Sequence, residues 1–166
     1  MDAQVTKALT ITTPSDREIV LTRTFDAPRR LVFKAMTMPE HVRQWYGCNL
    51  MTLIACEIDL RVGGAYRFTM RGPDGVDHTL RGTYREIAPP DRIVFTEGYV
   101  TEGFTSDEAT VTSTFVESGG KTTLTVTVLH KSRENRDMHL KSGMENGAGE
   151  SYDRLAAVVA AMADAA

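Results

Sequence analysis

Between residues 53 and 130 the chain is a succession of short β-type segments separated by turn sequences, and this pattern limits its fold more than any other feature. LIACEIDL gives way at RVGG to AYRFTMR, PDG leads into VDHTLRGTYREI, and APPD leads into RIVFTEGY. After a TEGFTSD loop, EATVTSTFVE turns at SGGK into TTLTVTVLH. Connections this short join antiparallel neighbours, because parallel strands need a crossover of a dozen or more residues. The last segment alternates most cleanly: Leu124, Val126, Val128 and His130 share one face, and Thr123, Thr125 and Thr127 the other. A sheet with one apolar face needs a cover.

Upstream, EIVLTRTF at residues 18–25 supplies a first strand, which brings the expected total to seven. Two short helices follow it. Asp26 is suited to the N-cap of the first, with Pro28 in its opening turn and Leu31, Val32 and Ala35 along an apolar stripe. The Met38-Pro39 step interrupts it, because a residue before proline disfavours the helical region. A second helix runs from Pro39 to about Tyr46 and stops at Gly47. From about residue 133 the pattern is helical to the end, and this last element alone is long enough to lie across the sheet. The expected fold class is therefore α+β, a seven-stranded curved antiparallel sheet wrapped on one long C-terminal helix. Residues 1–15, polar and aperiodic, are expected to form a flexible tail, and 16–166 one domain.

That helix is unevenly built. In GMENGAGESYDRLAAVVAAM, 100° steps place Leu140, Met144, Gly147, Ala148, Ser151, Leu155, Val158, Val159 and Met162 on one stripe, with Glu145, Asn146, Asp153 and Ala160 opposite. The stripe is bulky from Leu155 onward, yet Gly147, Ala148 and Ser151 have almost nothing to fill the space beneath them. Gly149 falls outside it. Either the backbones approach and close the gap, or large aromatic side chains fill it, or it persists as a pocket. Facing it across the sheet are two alternating sets, Tyr66, Phe68 and Met70, and His78, Leu80, Gly82 and Tyr84. A pocket is the expectation, with Trp45, Phe95 and Ser113 completing the candidate lining, and a small hydrophobic or aromatic molecule as its occupant.

Several ordered motifs carry a family likeness over residues 18–160: TRTFDAPRRLVFKAMTMPEHVRQWYG, EIDLRVGGAYRFTMRGPDG, GTYREIAPPDRIVFTE, and the helix end Tyr152-Asp153-Arg154-Leu155. Together they resemble the activator of heat shock protein ATPase-like family of the SRPBCC (START-like) superfamily. The resemblance implies a helix-grip fold around a deep hydrophobic cavity. It leaves function open, since such folds include lipid carriers, hormone receptors, polyketide cyclases and chaperone co-factors. Related single-domain chains commonly carry a Trp just after the Gly in the last helix. Here Ala148 follows Gly147, which implies a roomier cavity.

Composition narrows the classes further. A net charge of −3, a pI near 5.8 and scattered Lys and Arg give no nucleic-acid footprint and no membrane-surface patch. No apolar run of 18 residues and no apolar core near the N-terminus point to a cytoplasmic protein. Cys48 and Cys56 form no disulfide framework and no metal pattern, so neither metal nor cofactor is expected. His41 and His139 lie in charge-dense segments and are read as solvated, while His78 and His130 share inward registers. Arg23 alternates with Leu21 and Phe25, and at an inward position it needs a carboxylate such as Glu97 or Glu57. Trp45 beside Tyr46 and Gly47 is read as core at one end of the cavity. The leading expectation is a non-catalytic small-molecule binder. One alternative is a polyketide cyclase- or hydrolase-like enzyme using His78, Tyr84, Ser113 or Ser151, and the other a protein-interaction role with a chaperone ATPase.

Overall fold

Strands β1 (Thr10–Thr12), β2 (Glu18–Phe25), β3 (Thr52–Ile58), β4 (Ala65–Arg71), β5 (Asp77–Ala88), β6 (Arg92–Thr101), β7 (Phe104–Thr105), β8 (Ala109–Ser118) and β9 (Lys121–Leu129) form one antiparallel sheet in a computed structural model that describes residues 9–165. Its order is β1-β2-β9-β8-β6-β5-β4-β3, with β7 paired to β6. Helices α1 (Arg29–Thr37) and α2 (Pro39–Trp45) connect β2 to β3, and α3 (Arg133–Lys141) and α4 (Met144–Ala165) close the chain. This is the α+β arrangement that the strand pattern predicts, and it is the helix-grip fold that the family resemblance implies.

The alternation determines the register. Tyr66 pairs with Gly82, Phe68 with Leu80, and Met70 with His78, so the two sets of inward residues meet across β4 and β5. On β9, Val126 pairs with Ser113 of β8 and Leu21 of β2, which continues the apolar floor. The floor bends at Gly82, where an added Cβ would lie 1.8 Å from the Thr96 carbonyl oxygen and 2.9 Å from the Tyr66 ring. Only glycine permits that approach. An irregularity between Tyr84 and Glu86 adds to the bend.

Four expectations change. Helix α1 starts at Arg29 with Pro28, not Asp26, at its N-cap, and no side chain caps it. The sheet has nine strands because two short ones, β1 and β7, join the seven long ones; β1 lies along the middle of the outer strand β2 and β7 against the end of β6, where unpaired backbone groups are offered. Residues 10–12 thus belong to the sheet and not to a tail; the remainder of that predicted tail up to residue 8 falls outside the described residues. The C-terminal helix is also two helices. Gly143, at φ +83°, ends the turn after α3 in a conformation that other residues rarely adopt, and α4 starts afresh at Met144.

The core is concentrated at one end. Leu155 and Val159 of α4 are fully buried with Phe25, Val32, Val42, Phe115 and Leu124. The backbone neighbours of α4 are chiefly α1, α2 and α3, not the strands. The helix is therefore propped on other helices and leaves a gap above the floor.

Candidate cavity between sheet and C-terminal helix

That gap is a cavity of about 830 Å³. Its floor carries Tyr66, Phe68 and Met70 of β4, His78, Leu80 and Tyr84 of β5, Phe95 of β6 and Ser113 of β8. Its roof is Met144, Gly147, Ala148 and Ser151 of α4, and Trp45 stands at the α2 end. All thirteen residues singled out from the sequence lie on this one surface. The aromatic side chains have not filled the space: a Cβ built on Gly147 meets nothing within 4 Å. They pack instead against one another, with ring centroids 5.2 Å apart for Tyr66 and Phe68 and 5.3 Å for Tyr66 and Phe95.

Most polar tips in the lining are already engaged. The Tyr66 hydroxyl donates to the Thr96 carbonyl at 2.7 Å, and Trp45 Nε1 donates to the Ala35 carbonyl at 2.9 Å. Ser151 clamps the chain after α2: its hydroxyl accepts from the Gly47 amide at 3.0 Å and donates to the Gly47 carbonyl. The role of a free polar group, which the sequence suggested for Ser151, passes to backbone support, because α4 and the Gly47 turn come together only in the fold. His78 Nδ1 meets the Tyr99 hydroxyl. At the mouth, His130 Nε2 and His139 Nδ1 lie 3.0 Å apart. Burial and the neighbouring His130 push His139 down to about 4, and burial with Arg136 also lowers His130, so this pair is neutral at pH 7. His139 is thus half-buried and not solvated as its charge-dense sequence suggested, because its ring packs against His130 just beyond β9.

Arg23 is buried as expected, but its partner is Asp153 at 2.5 Å rather than Glu97 or Glu57. Asp153 sits on the α4 flank, outside the inward stripe, and the long guanidinium reaches it there. The Arg23 guanidinium carbon lies over Phe25, 5.5 Å from the ring centroid.

The pairing of Arg23 with Asp153 leaves Glu97 without that cation. Phe95, Glu97 and Tyr99 alternate along β6 and all line the cavity. No hydrogen bond or ion pair reaches the Glu97 carboxyl among the described residues, and burial lifts it from 4.5 to about 7. Tyr46 and Tyr152 also line the space and were not among the candidates. Tyr152 packs edge-on to Phe25 at 6.4 Å and lies 6.3 Å from Trp45. The signal for Glu97 was present, a single acid at an inward position of RIVFTEGY, but the sequence offered Arg23 as its partner.

The family model described as activator of Hsp90 ATPase homolog 1-like protein matches residues 26–160. Among curated proteins none matches the chain. A solved structure from Rhodobacter sphaeroides is similar at 26% identity and TM-score 0.85, covering 92% of this chain and 98% of the other. One from Mycobacterium smegmatis, at 23% identity and TM-score 0.81, covers 92% and 97%, and one from Silicibacter pomeroyi, at 22% and 0.72, covers 87% and 99%. The latter two speak to fold alone.

Proposed function

Because the chain belongs to the activator of Hsp90 ATPase homolog 1-like family, whose helix-grip fold it adopts, we propose that it binds a small hydrophobic or aromatic molecule between sheet and C-terminal helix without transforming it. One observation carries the reading: a mostly apolar cavity of about 830 Å³ stays open beneath a helix face made of Gly147, Ala148 and Ser151. This volume lies within the range of about 300–1,000 Å³ found for small-molecule sites. Ser151, one of the groups an enzyme reading would use, is held by Gly47, and His78 by Tyr99.

The test is a thermal-shift and native mass-spectrometry screen with naphthalene derivatives and flavonoids, on the parent protein and on Gly147→Leu. Ligand that binds the folded state raises the melting temperature by mass action. Stoichiometric binding that Gly147→Leu abolishes, with the fold retained, supports the proposal. Binding that survives the substitution moves the site elsewhere. Turnover of a bound compound would favour the cyclase-like alternative, and the absence of any binding would favour the protein-partner alternative.

A further inference from the structure

The charges around the cavity are one-sided. Glu97, Asp107 and Glu150 line it, and no Lys or Arg does so among the described residues. Two of these acids are occupied toward the rim: Asp107 accepts from Asn135 Nδ2 at 2.9 Å, and Glu150 from the Asn49 amide at 3.4 Å. Glu97 differs. It projects from the middle of β6, its carboxyl has no partner among the described residues, and the one buried arginine of the sheet is bound to Asp153. Tyr46, Tyr66 and Tyr152, from the end of α2, from β4 and from α4, line the same cavity as Glu97, whose charge helps to raise all three phenols. With its hydroxyl committed to Thr96, Tyr66 offers this space its ring. The site therefore has a carboxyl group at its base, aromatic rings around it and apolar walls above.

We propose that the cavity selects aromatic or aliphatic molecules bearing a basic nitrogen, whose cation seats on the Glu97 carboxylate among the rings of Tyr46, Tyr66 and Tyr152. This rests on the reading of the cavity as a ligand site. The reasons are electrostatic. A carboxylate in an apolar enclosure is disfavoured until an opposite charge joins it, and the shift of Glu97 to about 7, caused by burial alone, records that cost. An ammonium group relieves it and gains further from the negative faces of the rings. A neutral hydroxyl recovers only a hydrogen bond, and a ligand carboxylate meets repulsion. Fatty acids are accordingly the wrong class.

The experiment uses three probes of one shape: naphthalen-1-ylmethylamine, naphthalen-1-ylmethanol and naphthalene-1-carboxylate. Each is titrated calorimetrically into the full chain at about pH 8, where Glu97 is ionised and the amine is still a cation. The amine should bind tighter than the alcohol by about tenfold or more, the lower end for a close charge pair, with the carboxylate weakest. Glu97→Gln should bring amine and alcohol within about threefold of each other, a free-energy gap under about 0.7 kcal/mol. Glu97→Leu repeats the test with no polar group at all. Equal affinities in the parent protein, a carboxylate that binds best, or an amine preference that survives both variants would overturn the inference while leaving the cavity as a site. Failure of all three probes, or binding indifferent to Gly147→Leu, would overturn the cavity reading itself and this inference with it.

Discussion

The two halves of α4 are one helix with two jobs. Its second half carries Leu155 and Val159, both fully buried, and fastens the helix to the core. Its first half carries Gly147 and Ala148 over open space and is held by polar contacts, the Ser151 clamp on Gly47 and Glu150 on the Asn49 amide. The second half closes its gap with side chains. The first half keeps its gap because the helix as a whole is propped against α1 and α2 and not laid on the strands. A cavity thus needs a firm anchor beside it as much as small residues above it.

The sharpest way to break this contrast is Leu155→Ala. It should cost roughly 2–5 kcal/mol in chemical denaturation, as expected for a buried leucine, whereas Met144→Ala on the cavity side should cost much less. Equal losses would mean that the thin half also carries packing.

Next comes Glu97, beneath the thin half. Its rise from 4.5 to about 7 corresponds to roughly 3 kcal/mol. For an acid raised in the folded state, the unliganded protein is most favoured below the unfolded value, and stability falls as pH climbs from 4.5 to about 7. Glu97→Gln should remove that slope, and so exceed the parent in stability at pH 8 while matching it near pH 4.5. His139 acts in the opposite sense. Lowered from 6.5 to about 4, it contributes stability above 6.5 that is lost as pH falls toward 4. The difference between variant and parent, measured at each pH, isolates the Glu97 part from the His139 part.

Ser151→Ala tests the clamp. It leaves the Gly47 amide and carbonyl without their side-chain partner and should cost about 1–3 kcal/mol. Hydrogen exchange should rise at Gly47 and over the first turns of α4, and leave Leu155 protected. The smallest effect is expected of Gly147→Ala, which adds a methyl to open space. It should stabilise by roughly 0.5–1 kcal/mol through helix propensity. A loss instead would show that the floor lies closer than it does in the structure.

Much of this contrast was legible in the sequence. The alternation of TTLTVTVLH and AYRFTMR fixes which side chains face the helix, because a strand has a period of two whatever it pairs with. The 100° step of α4 likewise separates Leu155 and Val159 from Gly147 and Ala148 before any contact is known. Ten of the thirteen lining candidates came from these two local periods, and Trp45, Phe95 and Ser113 completed the set. What they missed lies outside local repetition. Tyr46 lines the cavity from just beyond a helix end, and Tyr152 from beside the stripe.

Local periodicity, then, determined the strands, the faces and the uneven helix, since each depends on backbone geometry within a few residues. Only the tertiary structure decided which long side chains met. Arg23 could reach several carboxylates, and its choice of Asp153 depends on where α4 crosses β2. That choice left Glu97 alone in the cavity, because electrostatic partnership acts through distance and burial, and neither is written in the order of residues.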